Sequence, residues 1–334
     1  MTRVHRPVRR RRRSLVGGVG ALAALALGGC GLQPAASFVP EFGEGSLERL
    51  DLPEGASVTV TSKNFTEQLI LGKIAVLAAQ AAGFTVTDLS NVPGSQPVRE
   101  LMLSGGADIT WEYTGTAWLT YLGQEEGIPD PAEQFAAVAE ADGELGLTWS
   151  DPAPLNNTYA FAVSRDNAEK YGLETISDLA TVPVGERTLC VEPEFNSRAD
   201  GLTPLLEHYE LPRGPEGIPD NQISVLDLGA VYAAIDRGNC VVGEVFSSDG
   251  RIPALDLVVL EDDRAFFPAY NASVVFYAET LETYPGLQDV FADVSARITD
   301  DLMRELNRQV DVDGEEPADV AYAWMVQEGF ITEP

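Results

Sequence analysis

Alternating polar and apolar residues in Ser57-Val58-Thr59-Val60-Thr61 read as a β-strand, and the next apolar set, Leu69, Ile70, Ile74, Leu77 and Ala78, has the spacing of one helical face. A helix over 67–82, closed by Gly83, is therefore expected. The two periods go on exchanging along the chain. Strands are read at 84–87 and 107–111, with a short helix over 96–103 between them and another helix opening near Gly115. The rhythm then restarts, with strands at 159–163, 188–191, 222–228 and 240–246 and helices over 202–209 and 231–237. Helical spacing returns over 287–307 and 318–328. Strands separated by helices pair in parallel, so the pattern predicts an α/β fold of mainly parallel sheet with helices on both faces, built as two lobes.

The first 29 residues have a different character. Arginine-rich Met1 to Arg13 precedes a 14-residue run of apolar and small residues, Ser14 to Leu27, shorter than the roughly 20 residues of a bilayer-spanning helix. Leu27-Gly28-Gly29-Cys30 resembles the lipobox of bacterial lipoproteins, which implies a signal peptide over 1–29 and lipidation of Cys30. Residues 30–48, rich in Gly, Pro, Ala and Ser and lacking either period, read as the lipidated cysteine and a flexible tether. No later stretch approaches 18 apolar residues, so an extracytoplasmic protein held to the cell membrane by lipid alone is expected.

Length sets the scale: 334 residues allow about two domains with sizeable cores. Hydrophobic residues at 45% and charged residues at 22% exclude disorder across the whole chain. The formal charge is -30, and seven of the 22 basic residues are arginines between Arg3 and Arg13, so the remainder is more acidic still. Such a surface repels nucleic acid and can steer cationic solutes; the plainer reading is solubility. Cys190 and Cys240 each lie in a short β-like run. In a compartment where disulfides persist, a bridge between neighbouring strands of one domain is expected, the alternative being two separate buried thiols.

Open parallel sheets bind ligands at the C-terminal ends of their strands, where helices begin. Clusters of unusual residues fall at such junctions: Ser62-Lys63-Asn64-Phe65-Thr66-Glu67-Gln68, Trp111-Glu112-Tyr113-Thr114-Gly115-Thr116, Phe195-Asn196-Ser197-Arg198-Ala199-Asp200-Gly201 and Phe246-Ser247-Ser248-Asp249-Gly250-Arg251. Together with Asn156-Asn157-Thr158-Tyr159-Ala160 and Phe267-Pro268-Ala269-Tyr270-Asn271-Ala272, these motifs resemble the substrate-binding proteins of osmoprotectant ABC importers, in order, from about Val58 to Phe330. That family binds glycine betaine, choline, carnitine and related quaternary ammonium compounds. The resemblance implies the type II periplasmic-binding fold: two α/β lobes around a ligand cleft with two interlobe crossings, here 49–155 plus 281–334 as lobe 1 and 156–280 as lobe 2.

It also implies a site. A trimethylammonium group has no N–H to donate, so it is selected by desolvated aromatic faces, each contact contributing roughly 0.5–2 kcal/mol. By motif, the cage tyrosines fall on Tyr113, Tyr159 and Tyr270, and the fourth cage position on Phe246, where most members have tyrosine. Asn157 matches a position that touches the cationic head through its backbone carbonyl. The carboxylate contacts fall on Lys63, Thr116 and Arg198, which suggests betaines before choline, carnitine or ergothioneine. Gly94-Ser95-Gln96 lies where some members discriminate choline from wider ligands. Plainer readings exist: Lys63 and Arg198 as surface ion-pair partners, Asp249 as a turn residue, Asp311 to Glu315 as a loop and not a calcium site, and Tyr121, Tyr232 and Tyr277 as packing.

The competing class is an enzyme. Outside the leader His208 is the one histidine, no Gly-x-Ser-x-Gly elbow occurs, and no spacing singles out a carboxylate pair for a secreted hydrolase. The expectation is a monomeric solute-binding lipoprotein, with no cofactor, metal or catalytic residue, that hands a quaternary ammonium solute to an ABC permease and its ATPase.

Overall fold

The computed structural model describes residues 40–198 and 200–334; the signal-peptide and Cys30 expectations, and the tether as far as residue 39, lie outside these residues. The described chain opens with β1 (Gly43–Glu44), β2 (Ser57–Lys63), α1 (Thr66–Ala81), β3 (Thr85–Val92), α2 (Ser95–Leu103) and β4 (Ile109–Tyr113). A π-helical turn, Thr116–Tyr121, leads to α3 (Pro131–Gly143) and β5 (Leu147–Trp149). The second series is β6 (Tyr159–Ser164), α4 (Arg165–Tyr171), β7 (Leu189–Val191), α5 (Pro193–Ser197), α6 (Leu202–His208), β8 (Ile223–Val225), α7 (Leu228–Asp236), β9 (Val242–Phe246), α8 (Arg251–Ala254) and β10 (Leu257–Val259). The chain then returns through β11 (Ala272–Tyr277), α9 (Ala278–Thr283), α10 (Leu287–Ser295), α11 (Asp300–Asp311), α12 (Pro317–Gln327) and β12 (Ile331–Thr332).

Two five-stranded sheets carry the two α/β lobes, in the orders β3-β2-β4-β11-β5 and β10-β6-β9-β7-β8. The expectation of mainly parallel sheets needs correction, because each sheet is mixed. β2 is parallel to β3 and β4, but β11 is antiparallel to β4 and β5; β7 is parallel to β8 and β9, but β6 is antiparallel to β9 and β10. The cause is topological. β6 and β11 follow the crossings between lobes, so each enters its sheet from the end at which β9 and β4 leave, and it runs against them.

The return comes earlier than the expected boundary at 280, since Ala272–Tyr277 already pairs with β4 through Ala272↔Tyr113. The two crossings are bonded side by side: Asn156 bridges Asn271, the Asn157 N–H donates to the Tyr270 carbonyl at 3.2 Å, and the Tyr270 N–H donates to Asn156 Oδ1 at 2.7 Å.

α1 is buried on nearly every side, as its mostly apolar sequence requires, between β2 and β3 beneath it and α10, α11 and α12 above. The single tail helix expected over 287–307 is two. Thr299 accepts the Leu302 N–H at 3.2 Å and is followed by Asp300 and Asp301, an N-terminal signal that restarts the helix. The tether expectation also ends too late, because β1 pairs with β12 and the Ser46 N–H donates to the Gly329 carbonyl at 2.8 Å. Cys190 on β7 and Cys240, just before the neighbouring β9, have Cα atoms 5.9 Å apart, within disulfide reach. No helix among the described residues is long and apolar enough to cross a membrane.

Candidate ligand-binding site

One cavity of about 550 Å³ lies where the strands of both lobes meet the crossings. β2 ends on it at Lys63 and β4 at Tyr113; β9 ends on it at Phe246, and β6 begins there at Tyr159, directly opposite Phe246 in the antiparallel register. Thr116 opens the π-helical turn, Asn157 lies in the first crossing, Tyr270 in the second, and Arg198 follows α5. All eight residues named from the motifs line this cavity.

The aromatic rings form a continuous wall. Tyr113 lies 6.2 Å from Phe65, Phe65 lies 5.2 Å from Phe246, Phe246 lies 5.1 Å from Tyr159, and Tyr159 meets Tyr270 edge-on at 5.7 Å. Tyr270 also presses on Gly115, where a Cβ would fall 2.5 Å from the ring, so glycine is required there. Burial raises the pKa of the Tyr113, Tyr159 and Tyr270 hydroxyls well above the ordinary tyrosine value, which keeps the rings neutral at physiological pH.

Two buried cations, Lys63 and Arg198, share the wall with these rings. Lys63 Nζ lies 5.0 Å from the Tyr113 centroid and Arg198 Cζ lies 5.4 Å from that of Tyr159. Both are buried, and both are already paired. Lys63 donates to Glu112, and Arg198 donates through Nε and Nη2 to the two oxygens of Asp200 at 2.7 and 2.6 Å, while Nη1 reaches Glu194 at 3.2 Å. Asp200 also accepts the Tyr270 hydroxyl at 2.9 Å. The reading of Lys63 and Arg198 as surface ion-pair partners is thus half right: they are ion-paired, but inside the cavity wall.

Behind the rings stand two wholly buried acids. Glu67 accepts from the Tyr113 hydroxyl at 2.7 Å, from Asn157 Nδ2 at 2.9 Å and from Ser248 Oγ at 2.5 Å, tying the first lobe, a crossing and the second lobe together. Burial raises its pKa despite these donors. Glu244 sits two residues before Phe246 on the same face of β9; it takes one backbone donor, the Glu192 N–H at 3.2 Å, and its Oε1 is buried without a partner among the described residues. Burial, and then the neighbouring Glu192 charge, lift Glu244 well above the ordinary glutamate value.

Residues 56–327 match the family model described as the substrate binding domain of ABC-type glycine betaine transport systems. The chain belongs to this family. It is 35% identical to the glycine-betaine-binding protein of Pseudomonas aeruginosa, over 81% of this chain and 87% of that one. It is 32% identical to the carnitine transport binding protein OpuCC of Listeria monocytogenes, over 83% and 86% of the two chains. Among solved structures, a glycine betaine/carnitine/choline ABC transporter protein superposes with a TM-score of 0.67 at 29% identity, covering 82% of this chain and 99% of the other. The protein is therefore the substrate-binding component of an ABC transporter and not an enzyme.

Sequence reasoning did not single out several lining residues of this substrate-binding domain. Phe65 holds the position before α1 in extended conformation, which turns its ring into the cavity between Tyr113 and Phe246. The signal was present, since Phe65 lies in the same strand-to-helix turn as Lys63. Glu194 and Arg251 also line the cavity; Arg251 closes the motif that begins at Phe246, whereas nothing in its local sequence marks Glu194. Asp249, read as a turn residue, accepts the Arg251 N–H at 2.8 Å and also pairs with its guanidinium. Tyr232 does more than pack, because its hydroxyl accepts the Phe246 N–H at 2.9 Å and its ring lies 4.1 Å beneath Arg251.

Proposed function

We propose that the cavity captures a small quaternary ammonium solute, glycine betaine or a related betaine, and presents it to the permease of an ABC importer. The observation that carries this reading is the contiguous wall of Tyr113, Phe65, Phe246, Tyr159 and Tyr270 next to two buried cations in one cavity. A micromolar complex needs about 8 kcal/mol. Ring contacts at roughly 0.5–2 kcal/mol each supply a few, and charged hydrogen bonds at roughly 1.5–3 kcal/mol each supply the rest. Lys63, Tyr113 and Thr116 would act from the first lobe, Tyr159, Arg198 and Phe246 from the second, and Tyr270 and Asn157 from the crossings, so a ligand touching all of them favours the closed pair of lobes.

One observation supports a second ligand class. Lys63 and Arg198 already have carboxylate partners, so choline, which has no acid end, is also accommodated. The rest of the proposal concerns the setting: export by the leader over 1–29, a lipid on Cys30, a Cys190–Cys240 bridge holding β7 to the start of β9, and action as a monomer. Calorimetric titration of the full chain with glycine betaine, carnitine, choline and ergothioneine, with glycine as control, tests the ligand class. Binding of at least one methylated ammonium without binding of glycine is expected; silence across the panel refutes the class.

A further inference from the structure

The end of the cavity that holds the cations already contains a carboxylate of the chain. Glu194, in α5 of the second lobe, has a side chain 30% exposed, against 4% for its partner Arg198. Its Oε1 accepts from Arg198 Nη1 at 3.2 Å and from the Ser95 hydroxyl, and its Oε2 accepts the Ser95 backbone N–H at 3.2 Å. Ser95 is the first residue of α2, in the opposite lobe. One carboxylate therefore joins a second-lobe guanidinium to the opening turn of a first-lobe helix.

A guanidinium N–H, a backbone N–H and a hydroxyl are also the donors that would receive a carboxylate arriving on a ligand. Arg198 has little else to offer, because its Nε and Nη2 are held by Asp200. Burial alone would raise the pKa of Glu194, but Lys63, Ser95 and Arg198 together outweigh it and hold the pKa below the ordinary glutamate value, so the group is ionised at neutral pH. Its partial exposure at the cavity leaves it room to withdraw, which Asp200 and Glu112, each nearly fully buried, lack.

We propose that Glu194 is a resident carboxylate at the subsite for a ligand's acid end and thereby determines specificity. A zwitterion displaces it from Arg198 and Ser95, whereas a quaternary ammonium without an acid leaves it in place to clasp the two lobes. The inference rests on the quaternary ammonium reading of the cavity for its ligand half, while the clasp stands independently.

Glu194→Gln keeps the reach to Ser95 and removes the charge. In the full chain it should raise the ratio of glycine betaine to choline affinity about fivefold, the effect of about 1 kcal/mol from one partly exposed ion pair. An unchanged or lowered ratio overturns the specificity role. A second readout needs no ligand: amide hydrogen exchange at Ser95, followed in protein without added solute, should quicken about tenfold in Glu194→Ala, while exchange in β2 and β4 stays as in the parent. Unchanged exchange at Ser95 overturns the clasp. If the parent binds neither solute, the proposed ligand class fails, and the Ser95 exchange still decides whether Glu194 joins the lobes.

Discussion

Arg99 and Arg198 are both buried and both held by an aspartate in a two-point grip, yet their surroundings differ. Arg99 donates to the two oxygens of Asp142 at 2.7 and 2.5 Å, Trp149 Nε1 donates to the same carboxylate at 2.8 Å, and the Tyr121 ring lies 5.0 Å from the guanidinium. Every member of that set belongs to the first lobe, and Asp142 is wholly buried. Arg198 has the same grip from Asp200 with Tyr270 as the third member, but its remaining nitrogen goes to Glu194, which is partly exposed and reaches the other lobe. A closed set of partners fastens α2 to α3. A set with one exchangeable partner can accept something new without leaving a buried charge unpaired, and that property separates an ion pair suited to recognition from one suited to cohesion.

The comparison predicts that the two ion pairs differ in their effect on ligand affinity. The largest effect is expected from Asp142→Ala, which strands Arg99 in the interior and should cost about 3–5 kcal/mol of stability. Thermal unfolding should show a large fall in Tm, with ligand affinity of the folded protein unchanged; a loss of affinity with intact Tm would erase the distinction. Arg198→Ala should weaken glycine betaine binding by about tenfold to a hundredfold, or 1.5–3 kcal/mol for one charged contact, and should lower Tm as well, because Asp200 loses its buried partner.

Glu244 sharpens the contrast, because this second-lobe acid is buried with one oxygen lacking a partner among the described residues, whereas both oxygens of Asp142 are held by Arg99. The folded pKa of Glu244 is raised, so the folded state keeps a proton that the unfolded chain releases, and stability is lost as pH rises above about 4.5 toward the folded value. Glu244→Gln should match the parent at acid pH and be more stable than it at pH 8, because the glutamine has no buried carboxyl to ionise. Chemical denaturation from pH 4 to pH 8 reads this directly, and parallel curves for the two proteins would contradict it. A smaller effect is expected from Tyr270→Ala: about a tenfold loss of betaine affinity, the size of one good ring contact, measured by the same titration.

Much of the architecture could be read from periodicity, because β2, α1, α2, β4, β6, α6 and α7 have regular patterns bounded by turn residues. What could not be read followed from tertiary arrangement. β11 runs against β4 because the chain re-enters the first lobe from the cavity side, a fact absent from the local pattern of Ala272–Tyr277. The short edge strand β8 replaced a longer expectation at 222–228, since Asp227 and Leu228 already begin α7.

At the site, the motif residues were recognisable because they occupy strand ends and helix starts that the pattern locates. Their charge state was not, because Glu112, Asp200 and Glu194 look in sequence like three of 52 acids, and only the fold sets them against Lys63 and Arg198. Phe65 was visible in its motif but could be placed in the cavity wall only once its backbone direction was known.

The central claim is that the wall of rings selects a methylated ammonium, and stepwise methylation tests it most directly. Calorimetric titration of the full chain with glycine, its N-methyl and N,N-dimethyl derivatives and glycine betaine keeps the carboxylate constant while N–H donors are replaced by methyl groups. Affinity is predicted to rise at each step, with glycine silent and the trimethylated solute strongest. Equal binding across the series, or tighter binding of glycine, would contradict the account.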